Sequence, residues 1–433
     1  MLGIGLGNWR YPLDWNAYRR LRWVAHSQVV RGPLTHVLGR IEDRSTFRRD
    51  QEAQRLLGSD EDEWQDLSRQ LVGNLAANPR HEPGQLRLLV VDRPALGGTW
   101  FGDELTRSFS TEYFSVTRHK RLVESGQTDS VAASVGAKYS DTFVPYQVGP
   151  RLGEWRNRLQ IDLLEYARSV HAKQSIDLAL LYGSYLEFEP ETLNAIRDLG
   201  IPVALLWLDD VHAFNPKRRP YPNGQTPLIG SVDLHLTNSR RAVGWYLGKG
   251  AAATWFPEAV DPLVFRPRDG AREVDVAFVG SAYGPRRRTI EQLQRAGVDV
   301  HCFGTSWPNG PVEEVAGVYA GAKVVLGFGF TGASSTQVCL KGRDFEAPAC
   351  GAAYLTTYNS ELESLFDLDS EIKCYPGLGE IPGIVSEMLS NPGGLRAMGD
   401  RARQRVLKQH TWTRRIRDLS DWLGLVPNSR QEF

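Results

Sequence analysis

The chain has 433 residues, more than one hydrophobic core usually spans, so at least two domains are expected. Hydrophobic residues make up 41% and charged residues 24%, with 51 Lys and Arg balanced by 51 Asp and Glu and a pI near 7.1. This is a globular composition without the global charge that would draw the protein to nucleic acid or an anionic membrane. Four cysteines (Cys302, Cys339, Cys350, Cys374) lack C-x-x-C spacing and read as reduced, mostly buried thiols rather than a disulfide frame or zinc site. No apolar run approaches the roughly 18 residues of a membrane helix. The start, MLGIGLGNWRYPLDW, lacks the basic n-region of a signal peptide. The expected location is the cytoplasm.

Residues 1–85 are polar and Arg-rich, with helical apolar spacing at Trp15, Tyr18 and Leu21 and again at Trp64, Leu67 and Leu71. They predict two or three amphipathic helices, either an appendage packed on the core or an acceptor-binding or dimerisation element. At Leu86 the texture changes to LRLLVVDR, a buried-strand pattern, followed by a turn containing Gly97 and Gly98. This turn is either simple chain reversal or the border of an acceptor pocket, because ligands of doubly wound sheets sit at carboxyl strand ends. DLALLYG (177–183), VALLWLDD (203–210) and VDLHLTNS (232–239) add strands, and Pro190 to Gly200 reads as a helix with a glycine stop. Alternating strands and helices predict a parallel sheet, closing near the proline-punctuated stretch 257–267.

VDVAFVGS (274–281) opens a second domain, running through Gly280 and Ser281 into a helix that starts with Arg286, Arg287 and Arg288. Cations at a helix N-terminus oppose its dipole, which favours an anionic ligand there. VDVHCFGTSW (298–307) reads as strand then loop. KVVLGFGFTGASSTQVCLKGRDFEAPACGAAYLTT (323–357) reads as strand, Gly/Ser/Thr loop, helix over 336–349, glycine stop and strand. Loop amides around Ser335, Thr336 and Gln337, with Lys341 and Arg343, predict a cradle for a diphosphate. Glu346, at i+3 from Arg343, shares its helix face and could accept hydrogen bonds from a sugar diol. The bland alternative is a solvated Arg–Glu pair on an ordinary βαβ unit.

Arg343-Asp344-Phe345-Glu346, followed by Ala347-Pro348-Ala349-Cys350-Gly351, resembles the donor-site signature of CgeB-like, spore-maturation type glycosyltransferases. Trp207-Leu208-Asp209-Asp210, Val279-Gly280-Ser281 and His410-Thr411-Trp412-Thr413-Arg414-Arg415 extend the resemblance over roughly 175–423. It implies the α/β GT-B fold, two Rossmann-like domains facing across a cleft. The expected boundaries are 1–85 (helical appendage), 86–265 (acceptor domain), 266–409 (donor domain) and 410–433 (a crossover helix strapping the lobes). It also implies a nucleotide-diphospho-sugar co-substrate, UDP- or dTDP-linked, a small-molecule, glycan or protein acceptor, and no metal. Phe303 and Gly304, with Trp307, fall where the nucleotide base would lie. Many such enzymes carry Glu, seven residues, then Glu. Here Val338 stands where the first acid would be.

An inverting mechanism needs a base on the acceptor side. Asp209 and Asp210 at a strand end, with His212 nearby, are the candidates; alternatively the acids cap a turn or pair with Arg218 or Arg219. The leading expectation is a glycosyltransferase. A nucleotide-sugar epimerase or hydrolase of the same fold, or a catalytically silent sugar-nucleotide-binding module, are the alternatives.

Overall fold

Apolar residues alternate between two faces along each strand of the first sheet. In a computed structural model describing residues 33–72, 86–92, 101–124, 126, 152–208, 210–214, 224–282, 285–304, 307–310, 314–331, 334 and 336–425, this sheet comprises β1 (Arg87–Asp92), β2 (Ser110–Ser115), β3 (Leu178–Tyr182), β4 (Val203–Trp207), β5 (Leu234–Thr237) and β6 (Ala253–Trp255). All its pairings are parallel, in the order β2-β1-β3-β4-β5-β6. Leu89, Val91, Ala179, Leu181, Val203 and Leu205 face the helices Leu152–Lys173 and Pro190–Asp198. Leu88, Val90, Leu178, Leu180, Ala204 and Leu206 face the other way. Period two sends successive side chains to opposite faces. Burial of both faces explains why these strands read as unbroken apolar runs.

The second sheet holds β7 (Val274–Val279), β8 (Val300–Phe303), β9 (Ala322–Leu326), β10 (Ala353–Thr357) and β11 (Lys373–Tyr375), all parallel, in the order β11-β10-β9-β7-β8. One face packs on the helices Arg286–Arg295 and Ile381–Leu389, the other on Val315–Gly321, Arg343–Ala349 and Pro392–Gln409. Two parallel sheets with flanking helices are the GT-B architecture. The four cysteines are free, and all but Cys374 are buried.

Two of the connections between the lobes are a strap helix and a carboxylate. The helix Trp412–Trp422 crosses from the second lobe to the first, where Trp412, Ile416, Leu419 and Leu423 join the core with Leu88 and Val90. Val260 and Thr411 form a parallel bridge at the crossing. His410 hydrogen-bonds the Leu365 carbonyl at 2.8 Å and Arg415 at 3.0 Å, and burial pushes its pKa down to about 3, so it is a neutral strut in this strap. The second connection is Glu361, in the short helix Ser360–Glu363. It accepts from the Arg240 backbone N–H (2.8 Å), the Trp255 indole (3.1 Å) and the Ser239 hydroxyl (3.3 Å). A carboxylate at the amino end of helix Arg240–Leu247 complements its dipole.

The helices Pro33–Leu57 and Glu61–Val72 pack on helix Arg240–Leu247. Arg49 lies over the Trp245 ring at 4.3 Å, and Trp64 joins the same cluster. Among the described residues no helix is long and apolar enough to cross a membrane.

Ile416 is fully buried in the first lobe's core. Ile416→Ala should lower stability by about 2–5 kcal/mol, the range for deleting a buried aliphatic side chain, read as an earlier urea unfolding midpoint.

Candidate active site

In the second sheet β8 lies on one side of β7 and β9 on the other, so chain connections depart in opposite directions at the β7/β9 boundary. Such a reversal leaves a crevice at the carboxyl ends of the strands, where ligands of open α/β sheets bind. Gly280 follows β7, Gly304 follows β8, and Phe328 comes soon after β9.

Two glycines let the backbone close up here. Gly280 has φ +153° and Gly304 φ +123°, conformations that residues with a Cβ rarely adopt. A Cβ on Gly304 would stand 2.6 Å from the Gly280 carbonyl oxygen, and one on Gly280 would stand 2.8 Å from Arg343 Nη2. With neither present, the Gly280 N–H donates to the Phe303 carbonyl (2.8 Å) and the Trp307 indole N–H to the Gly280 carbonyl (2.7 Å). Arg343 donates to the Phe328 carbonyl at 3.3 Å, its guanidinium 5.2 Å from the Phe278 ring centroid. Buried Tyr319, on the helix Val315–Gly321, has its hydroxyl near Arg343. Glu346 is half-buried beside this group. Loss of solvation pushes its carboxyl up to about 7, with Asp344 adding to the rise and Arg343 opposing it. Arg343 thus lies against Gly280 and Gly280 against Gly304 at these strand ends, with Glu346 beside Arg343 and with Ser281 and Phe303 half-buried next to the glycines.

Other expectations need correction. The helix predicted over 336–349 begins only at Arg343. The preceding segment folds back on itself: Phe330 bridges Val338, the Thr331 N–H donates to the Gln337 carbonyl, and the Cys339 N–H donates to that of Gly329. The Thr336 and Gln337 amides are not offered to a diphosphate, because both donate to the Ser334 hydroxyl oxygen at 3.0 and 2.8 Å. Ser335 lies outside the described residues. Lys341 donates its backbone N–H to Asp344 (2.7 Å) and its ammonium to the Cys339 sulfur (2.9 Å). Asp344 is buried and also receives the Tyr354 hydroxyl at 2.6 Å, fixing the helix start. Arg286 is 3% exposed and donates to the carbonyls of Ser281 (3.0 Å) and Phe328 (3.4 Å), so its charge ties β7 to β9 rather than facing a ligand. Trp307 spends its N–H on Gly280 and packs edge-on to Phe278.

On the acceptor side, Asp210 is completely buried as the first residue of the short helix Asp210–Ala213. It accepts the Tyr246 hydroxyl at 2.6 Å, and the Tyr246 ring stacks on His235, which hydrogen-bonds Gln225. This is a polar knot inside the lobe, so Asp210 does not face the cleft as a general base would. His212 is half-buried on the same helix. Asp209, Gly97 and Gly98 lie outside the described residues. Among the described residues no cluster of three or more His, Cys, Asp or Glu side chains could hold a metal ion. Tyr319 and the Phe328 carbonyl were missed by sequence reasoning; Tyr319 sits in an Ala/Gly-rich stretch that carries no motif.

Residues 286–421 match the family model described as "Glycosyl transferase-like". The match spans under a third of the chain, and in that segment the chain is similar to glycosyl transferase-like proteins. The segment contains Arg286, Phe303, Gly304, Lys341, Arg343 and Glu346, and the activity class is that of a glycosyltransferase. Among solved structures the chain is similar to Anabaena HepE in complex with UDP and glucose (12% identity, 78% of this chain and 99% of that chain, TM-score 0.48). It is also similar to a glycosyltransferase from Rickettsia africae (11% identity, 80% and 100%, TM-score 0.48) and to sucrose-phosphate synthase from Thermosynechococcus elongatus (12%, 78% and 98%, TM-score 0.44). No curated protein matches the chain.

The raised pKa of Glu346 sets a pH dependence. Between the ordinary carboxyl value of about 4.5 and about 7 the folded state holds this proton more tightly than the unfolded chain, so its contribution to stability declines as pH rises through that window. Glu346→Gln should therefore gain stability relative to wild type between pH 5 and pH 8, measured as the difference in urea midpoint. A constant difference would contradict the assigned shift.

Proposed function

We propose that the protein transfers a sugar from a nucleotide-diphospho-sugar, bound at the carboxyl ends of β7, β8 and β9, to an acceptor held against the first lobe. The observation that carries this reading is the meeting of Gly280, Gly304, Arg343 and Glu346 at the strand-order reversal, within or beside the segment matching the glycosyl transferase-like family. Breaking the anomeric C–O bond leaves its electron pair on the departing diphosphate. The planar Arg343 guanidinium, positioned by the Phe328 carbonyl, is the group suited to meet that charge. Gly280, lacking a side chain, lets the Arg343 guanidinium lie against the end of β7, where it would meet the phosphates, and Phe303 with Gly304 borders the place of the base. Glu346 takes the ribose diol. Hydroxyl donors favour its charged form, so donor binding at pH 7 should release protons.

This arrangement divides the work of the arginines. Arg343→Ala should weaken binding of UDP or dTDP by about 1.5–3 kcal/mol, the scale of a hydrogen bond to a charged group, measured by titration calorimetry. Arg286→Ala should instead lower the unfolding midpoint, because it removes the donor to two strand-end carbonyls. Failure of the wild-type chain to bind any nucleotide-diphospho-sugar would defeat the proposal. Incubation with the donor alone, followed by product analysis, separates transfer from hydrolysis or epimerisation.

A further inference from the structure

The helix Pro33–Leu57 lies outside the matched segment, yet its acidic side chains reach the fold-back that leads into Arg343. The Ser334 hydroxyl donates to Asp43 Oδ1 at 2.6 Å, the short length of a hydrogen bond to a charged acceptor. Its proton committed to Asp43, the oxygen turns its lone pairs to the backbone N–H groups of Thr336 and Gln337. A second line runs in parallel. Asp50 accepts the Trp245 indole at 2.9 Å and pairs with Arg241 at 3.6 Å, and Arg241 donates to Gln337 Oε1 at 2.8 Å. Gln337 is therefore fixed at its side chain by Arg241, at its N–H by Ser334 and at its carbonyl by the Thr331 N–H. The strand-like leg that this closes begins beside Phe328, whose carbonyl holds Arg343.

We propose that Asp43 and Asp50 are positioning residues for the donor site: the N-terminal helix fixes the 329–339 fold-back, and through it the place of Arg343. The proposal rests on the donor-site reading above. It makes this appendage a part of the transferase apparatus by way of the loop it holds. Two carboxylates from one helix hold the same loop from two sides, one through a hydroxyl and one through a guanidinium. Hydrophobic packing also reaches this loop, since Cys339 joins the cluster of Ala53, Trp64 and Trp245; the two carboxylates add directional holds at Ser334 and Gln337.

The test uses the full chain with Asp43→Ala, Asp43→Asn, Ser334→Ala and the Asp43→Ala/Ser334→Ala pair. Amide hydrogen exchange is followed at Thr336 and Gln337, and affinity is measured with UDP and with dTDP as probes. Asp43→Ala should speed exchange at these two amides and weaken the bound nucleotide, each by about tenfold, the scale of one hydrogen bond to a charged group. Asp43→Asn, whose amide oxygen still accepts the Ser334 hydroxyl, should restore most of both. The double variant should be no worse than Ser334→Ala alone. Nucleotide binding by wild type together with unchanged exchange and affinity in Asp43→Ala overturns the positioning role and leaves the donor site standing. Faster exchange spread evenly over the chain also overturns it, since that is loss of general stability. Absence of nucleotide binding by wild type sinks the donor-site reading and this proposal with it.

Discussion

Everything at the candidate site depends on the lack of a Cβ at two strand ends. Gly280 and Gly304 end neighbouring strands in conformations that other residues resist, and their backbones approach to distances at which a methyl group would collide with a carbonyl oxygen. That closeness lets Trp307 tie itself to Gly280 and lets the Arg343 guanidinium lie against the end of β7. The polar chemistry follows from this steric allowance. Arg343 reaches a backbone carbonyl, and Glu346 sits beside it in a place dry enough to raise its proton affinity.

Charge in this chain is used locally, as its overall neutrality suggests. Arg286 spends its charge on two carbonyls at strand ends, Glu361 spends its own on the amino end of a helix in the opposite lobe, and Asp43 and Asp50 spend theirs on a loop far away in sequence. Arg286 and Glu361 thereby satisfy backbone groups that strand ends and helix starts leave without partners, and Asp43 and Asp50 hold side chains. Loss of such a partner leaves a buried polar group unsatisfied, which costs more than the bond contributes when made.

The strands that pack on both faces were legible in the sequence because burial leaves unbroken apolar runs: β1, β3, β4, β5, β7, β8 and β10 lie within predicted stretches, and β9 begins one residue before its own. The other edge strands, β2, β6 and β11, were not, although the edge strand β8 was. Ser110–Ser115 begins polar and exposed, and only its latter half is buried. The three-residue β6 and β11 are too short to carry a period. The Arg343–Glu346 pair was legible because spacing on a helix fixes which residues share a face, and seven residues of helix suffice for that. The start of that helix was misjudged because Ser334 and Asp344 supply side-chain oxygens to backbone N–H groups, replacing turns of helix with local hydrogen bonds. Arg286 and Asp210 misled for a shared reason. Sequence shows that a charge stands at a strand end, and only the fold shows whether it points into a crevice or into the lobe.

The strap helix has a bearing on how the molecule is made. The strands of the first sheet are complete by Trp255, yet the face bearing Leu88, Val90, Leu180 and Leu206 receives Trp412, Ile416 and Leu419 only after the whole second lobe has been synthesised. At ribosomal speeds that interval is on the order of ten seconds. During it the early lobe carries bare aliphatic surface on a parallel sheet, the kind of surface chaperones bind. The order of the chain thus makes the older half of the molecule wait on the younger, and binds the folding of the two lobes into one event.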